Sequence, residues 1–237
     1  MSTRKQSIGT RNESSLHSTL KFQYAGPGGK TEAAAGLYVA DGISADGEFI
    51  EVQTGSFAPL EKKVKELTKK AKVKIIHPVA VKKIIEVYKP ASGRKKKFGK
   101  LLYRRKSPVK GSRWDIFDAL VFAPALPLIR GVTIEIVLVD ITEKRIKDGK
   151  GSWRRKGISI ADKELASWHE SIVLKKRGDY LSFIPFKKKE EFTSTSLAER
   201  ACIDTVTARK ALYVLTKINV VKRTGKQGNS WKYVRKL

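Results

Sequence analysis

The stretch 38–55, YVADGISADGEFIEVQTG, decides the fold. It reads as two strands joined by a tight turn. From Phe49 to Gln53 the side chains alternate, so Glu51 and Gln53 share one face while Ile50 and Val52 take the other. Asp41 lies on the preceding strand, and register determines whether it can cooperate with Glu51. A two-residue Asp46-Gly47 turn would set Asp41 opposite Val52, on the wrong face. A three-residue loop, Ala45-Asp46-Gly47 with a left-handed Gly47, pairs Ser44 with Glu48 and therefore Asp41 with Glu51. Facing Cβ atoms then sit roughly 5 Å apart, near enough for both carboxylates to hold one divalent cation. The three-residue loop is the expectation. Asp46, just before Gly47, is read as a turn residue. Ala40, Ile50 and Val52 make an apolar opposite face suited to a covering helix.

Outward from this hairpin, Thr10-Arg11-Asn12-Glu13 reads as a capping box. Leu16, Leu20 and Tyr24 recur every four residues and predict a helix, ended by Gly26-Pro27-Gly28-Gly29. His17 and Lys21 lie on that helix, and His17 is expected to be an ordinary surface or half-buried histidine. A first strand begins within 32–36. After the break at 54–59, Leu60, Val64, Leu67 and Ala71 form a second helical stripe, with Lys62, Lys63, Lys65, Lys69 and Lys70 around it. Val73 to Val79 predicts a strand ended by Pro78. Val81 to Tyr88 predicts a separate mixed segment, and His77 falls at a strand end.

The pattern Asp41 with Glu51-Val52-Gln53 resembles the PD-(D/E)XK nuclease superfamily, with Gln where Lys is usual. The resemblance implies an α/β, restriction-endonuclease-like mixed central sheet flanked by helices. It also implies a site in which Asp41 and Glu51 bind Mg²⁺, with Mn²⁺ as a substitute. Many members carry a further Glu on the first helix, a place that Glu13 matches; the capping role stands beside it. In this superfamily the active-site lysine can migrate to the neighbouring helix. Lys63 is then the candidate, with Lys62 second, and Gln53 or Lys63 orients the attacking water. The implied products are a 5′-phosphate and a 3′-hydroxyl.

The chain has 237 residues, with Lys plus Arg 50 against 23 acids, for a net charge of +27. Charge of that sign and size makes a polyanion the first partner to consider. At 41% hydrophobic residues it has enough apolar side chains for real cores. The single cysteine, Cys202, excludes an intrachain disulfide and a Cys-based zinc site. No signal-like apolar segment opens the chain, and none approaches the roughly 20 apolar residues of a membrane span. A cytoplasmic protein without membrane contact is the expectation.

Two domains are expected, 1–178 and 179–237. The first carries a basic insertion near 89–113, which holds Arg94, Lys95, Lys96, Lys97, Arg104, Arg105 and Lys106 and no acid. That composition suits a loop or β-ribbon lying along phosphates. Trp114 to Phe122 predicts a helix and Val132 to Ile141 a buried strand. A second basic loop, 150–156, carries Trp153, Arg154 and Arg155, with Trp153 either stacking on bases or packing under the loop. Leu165, Trp168 and Ile172 predict an amphipathic helix over 160–174.

In the C-terminal part, Ser194-Thr195-Ser196 caps a short helix and Asp204 caps a second, Thr205 to Lys217. Val206, Leu212, Leu215 and Ile218 are expected inside, and a hairpin around 224–229 follows. This order resembles winged helix-turn-helix domains. The resemblance places Thr205, Thr207, Arg209 and Lys210 near bases and phosphates of duplex DNA, with Lys226 on the wing. The same fold also serves as a protein-docking module.

Together these features predict a Mg²⁺-dependent DNA endonuclease acting on double-stranded DNA, as a homodimer where both strands are cut. The alternative is a non-catalytic DNA-binding factor with a degenerate nuclease fold. An RNA-processing nuclease is a third reading.

Overall fold

A computed structural model describes residues 13–92 and 97–236. Residues 1–12, including Thr10, and the basic residues Arg94, Lys95 and Lys96 lie outside the described residues.

Strands β1 (Lys30–Ala35), β2 (Tyr38–Ile43), β3 (Phe49–Val52), β4 (Val73–Tyr88), β6 (Val132–Lys147) and β7 (Ile158–Leu174) lie side by side in that order. Strand β5 (Leu101–Lys106) joins β4 as a seventh member. The sheet is mixed: β3, β4 and β6 run parallel, while β1, β2, β5 and β7 are antiparallel to their neighbours. Helix α1 (Ser15–Ala25) covers one face. Its Leu16 and Leu20 pack on Ile50, Val52, Ile76 and Val137. Helix α2 (Leu60–Leu67) buries Leu60, Val64 and Leu67 in a larger cluster with Val73, Ile75 and Ile134.

The β2–β3 turn has the three-residue register. Gly42 pairs with Ile50 and Ile43 with Phe49, the Ser44 amide donates to Glu48 O at 2.9 Å, and Gly47 has φ +78°. Beyond Gly42 the two strands separate. That separation explains a correction: Ile50 and Val52 lie under α1, whereas Ala40 belongs to the larger cluster.

Helix α1 begins later than the sequence suggests. Ser14, not Thr10, is its N-cap, accepting from the His17 amide, so Glu13 stands just before the helix. A distant residue completes the start: Asp162 on β7 accepts from Ser15 N at 2.8 Å and from Ser15 Oγ at 2.6 Å. Asp162 is buried, so Asp162→Ala orphans both donors. A loss of about 1–3 kcal/mol is expected in urea denaturation, with Asp162→Asn losing less.

Pro78 does not end a strand. β4 runs straight through it to Tyr88, paired with β6 along its length. β3 leaves β4 at Ile76, and β5 joins the same edge only at Ile84. Pro78 sits in the gap, where a missing N–H costs no ladder bond.

The expected helix over 160–174 is strand β7. Its ladder with β6 is bulged at three places, so Ala161, Ala166 and His169 are skipped in the pairing. Each bulge adds a residue to one strand. Leu165 and Trp168 therefore face the same cluster despite their odd spacing, and Ile172 turns to the other. Bulging has stretched a period of two into a helix-like period.

Downstream, a short 3₁₀ turn leads into α3 (Ile116–Leu120). Helices α4 (Ser194–Ala201) and α5 (Thr205–Lys217) precede a hairpin of β8 (Val221–Gln227) and β9 (Ser230–Arg235). Thr193 caps α4 and Asp204 caps α5. The hairpin turn is only Gly228-Asn229, shorter than expected, because a bulge at Thr224 lets β8 continue. Val206 is 55% exposed rather than buried, while Ala208, Leu212 and Leu215 form the inner face of α5. That face shares one apolar cluster with α3 and the sheet, and Phe183 packs edge-on against Trp114 and Phe117. Among the described residues no helix is long and apolar enough to cross a membrane.

Candidate metal and nucleic-acid site

Continuing the β2–β3 register by one step sets Asp41 opposite Glu51, where the strands part. The Asp41 carboxylate fills the opening. Its Oδ2 accepts the Val52 amide at 2.8 Å and lies 3.1 Å from His17 Nε2. Burial works to raise the Asp41 pKa, but the hydrogen bonds from His17 and Val52 outweigh it and hold the carboxyl below its usual value.

Glu51 sits deeper, with its side chain 3% exposed. Lys63 reaches it from α2, with Nζ 2.7 Å from Oε2. Oε1 is equally near but outside hydrogen-bond geometry, and it has no other partner. Burial pushes the Glu51 pKa up to about 7, Asp41 adds to the rise, and Lys63 opposes it. The two acids therefore differ: Asp41 is ionised at neutral pH and Glu51 is poised to lose its proton, the divergence expected of carboxyls sharing one site.

Glu13, His17 and Lys21 form a polar row beside the apolar stripe of α1. His17 Nε2 lies 3.6 Å from Glu13 Oε1 as well as against Asp41, and Lys21 Nζ lies 3.3 Å from Glu13. The chain thus brings Glu13, Asp41, Glu51 and Lys63 into one neighbourhood. His17 belongs there too, although its sequence context suggested an ordinary histidine. The missed signal was the spacing of four that joins it to Glu13 and Lys21.

Gln53 points elsewhere. Its side-chain amide donates to Ser56 O at 2.6 Å, and its backbone carbonyl lies 2.6 Å from His77 Nδ1. Gln53 braces the loop after β3, and Lys63 is the group in contact with Glu51.

Two carboxylates are a suitable protein share for Mg²⁺, which keeps several waters and takes substrate phosphate oxygens. Both Glu51 oxygens lie 2.7 Å from Lys63 Nζ, so a hard cation at this carboxylate would share it with the ammonium. Among the described residues no group of three or more His, Cys, Asp or Glu converges to cage an ion.

The basic residues fall in three places. Arg104, Arg105 and Lys106 lie on exposed β5, which extends the free edge of β4, with Arg104 3.4 Å from Glu86. Arg154 and Arg155 lie in the β6–β7 connection. Trp153 is 83% exposed there, under the Arg154 guanidinium, which settles the packing alternative against burial. Lys97 donates to Asp162. On α5, Thr205 and Arg209 are exposed, but Thr207 Oγ1 donates to the cap Asp204. Lys210 Nζ pairs at the surface with Asp118 at 2.7 Å. Lys226 and Arg223 flank the Trp231 ring on the hairpin.

A mixed, helix-flanked sheet with a split-strand carboxylate pair defines an α/β protein with a candidate cation site. Residues 14–175 match a domain of unknown function, DUF8091, and the chain belongs to that family. The chain is also similar to an uncharacterized protein of Treponema pallidum (strain Nichols), 26% identical over 226 residues, which cover 95% of this chain and 86% of that protein. That similarity reaches past the family domain into the C-terminal helices and hairpin. No solved structure matches the chain.

Proposed function

We propose that the protein is a Mg²⁺-dependent DNA endonuclease with a restriction-endonuclease-like core and a C-terminal winged helix. The observation that carries this reading is the meeting of Asp41 and Glu51 at a strand split, with the Lys63 ammonium against the Glu51 carboxylate. Asp41 and Glu51 would hold the ion. When bound, Mg²⁺ supplies the charge that activates water and offsets the anionic phosphate. The His17 and Val52 contacts keep Asp41 ionised and aimed. Lys63 provides a donor beside Glu51 that orients the attacking water and steadies the charge gathering on the phosphate.

The test is nicking of supercoiled plasmid with Mg²⁺ or Mn²⁺, comparing the parent with Asp41→Ala. Cleavage by the parent and none by the variant, with equal duplex binding, supports the reading. Binding by both with cleavage by neither turns the reading to a non-catalytic DNA-binding factor. Preference for duplex RNA over DNA in competition would favour RNA processing.

Phosphate contact by the exposed β5 edge predicts strong salt dependence. Duplex affinity should fall on the order of 10³-fold between about 50 and 200 mM salt. Replacing Arg104, Arg105 and Lys106 together by Ala should flatten the slope of log affinity against log salt by roughly 2 to 3. Fluorescence anisotropy titrations at several salt concentrations measure both.

A further inference from the structure

Between the departure of β3 and the arrival of β5, the edge of β4 opposite β6 has no strand beside it. Its residues His77, Pro78, Val79, Ala80 and Lys83 form one wall of a cavity of about 310 Å³. The loop 54–56 and α3 with its preceding turn supply the other walls, through Ser56, Asp115 and Asp118. The loop follows on the β3 segment that carries Glu51, and Gln53, two residues past Glu51, joins that segment to the cavity walls at Ser56 and His77. Its volume is at the lower end of small-molecule sites and suits one planar heterocycle.

The lining is built. Gln53 holds two of its parts, donating its side chain to Ser56 O and accepting from His77 through its carbonyl. Because a carbonyl can only accept, His77 Nδ1 carries the proton. Burial lowers the His77 pKa and keeps the ring neutral, which leaves Nε2 as an acceptor. His77 is 6% exposed, and no partner of Nε2 occurs among the described residues. Asp115 adds a second acceptor. Its Oδ1 caps Ser112, while Oδ2 lies beside Gly111, where a Cβ would come 2.7 Å from Ala80 O. Apolar walls at Val79, Ala80, Val139 and Ile141 suit ring faces. Lys83 and Lys163 also line it, and Lys163 makes no ion pair among the described residues. A ligand that matches this lining is flat, presents N–H donors on its edge, and carries negative charge outside.

We propose that this cavity receives a single unstacked base of the bound DNA strand, next to the phosphate held at Asp41 and Glu51, with its exocyclic amino edge toward His77 and Asp115. The inference rests on the nucleic-acid reading for what lies across the site, but not on cleavage. Lys83 and Lys163 meet the phosphates flanking the extruded base. Taking a base out of the stack costs on the order of a few kcal/mol, and the contacts of the pocket lining would offset that cost.

The test uses the full chain without divalent metal, so that extrusion and cleavage are read separately. Duplexes carry 2-aminopurine, a base quenched by stacking, at successive positions, and binding is followed in parallel by anisotropy. A several-fold fluorescence rise at one position is expected. It should vanish in Ala80→Leu, which fills the cavity, with duplex binding kept. In Asp115→Asn, which retains the cap but replaces an acceptor by a donor, the preference for adenine over thymine at that position should be lost. Bound duplex with flat emission at every position overturns the proposal, as does a rise that Ala80→Leu and Asp115→Asn both leave unchanged. Absence of duplex binding overturns it together with the nucleic-acid reading. Extrusion without plasmid nicking under Mg²⁺ overturns only the catalytic reading and leaves the base pocket standing.

Discussion

Glu51→Gln should remove cleavage while making the protein more stable at alkaline pH. The carboxamide keeps the shape but cannot serve as an anionic ligand, so nicking should fall by at least about 10³-fold. Stability moves the other way. Burial raises the Glu51 pKa from 4.5 to about 7 in the folded chain. A raised folded pKa means that its contribution is fully present below the unfolded value and is lost as pH rises through about 7. The variant does not titrate and escapes that loss. Metal-free urea denaturation should therefore show the variant ahead by about 3 kcal/mol at pH 8, from the rise between 4.5 and about 7 at 1.36 kcal/mol per pH unit. The two proteins should converge as pH falls below 4.5. A parent that is the more stable one at pH 8 would show that Lys63 fully compensates the buried charge. Parent affinity for Mn²⁺ should weaken as pH falls through the same window, because the ion and the proton compete for one carboxylate.

The second large effect separates Lys63 from Gln53. Lys63→Ala should lower the nicking rate by about 10²–10³-fold, the usual range for a group that positions or exchanges a proton. Duplex affinity should hardly change, since one half-buried lysine beside Glu51 adds little to a surface of this charge. Gln53→Ala should cost much less rate, because its amide serves Ser56 O and not the carboxylates. Its damage should appear instead as a looser 54–56 loop. Full activity in Lys63→Ala alongside none in Gln53→Ala would defeat this assignment.

What could be read from the chain followed where local chemistry decides structure. The Ala45-Asp46-Gly47 loop was legible because only one hairpin geometry places Gly47 at positive φ and gives Ser44 its Glu48 partner. The α2 stripe was legible because Leu60, Val64 and Leu67 face one core. The misreadings arose where distant parts of the chain intervene. β7 imitates a helix because its bulges are set by pairing with β6, which spacing within 158–174 does not reveal. Pro78 looked like a terminator because the strand gap around it is created by β3 and β5. Glu13 looked like part of a cap because Asp162, far along the chain, supplies the real support at Ser15. At the site, Asp41, Glu51 and Lys63 were found as a motif. His17 was passed over because its meaning depends on where β2 carries Asp41.

Among the described residues one apolar cluster runs from the sheet through Phe117 and Phe183 to Leu212 and Leu215, joining the sheet to the C-terminal helices. Lys210 clasps Asp118 across that join. On the proposed reading, a gripping end and a cutting end joined in one piece would work as a gauge. If α5 seats on a duplex, the bond brought to Asp41 and Glu51 lies at a constant offset, and lengthening a loop elsewhere would not move the cut.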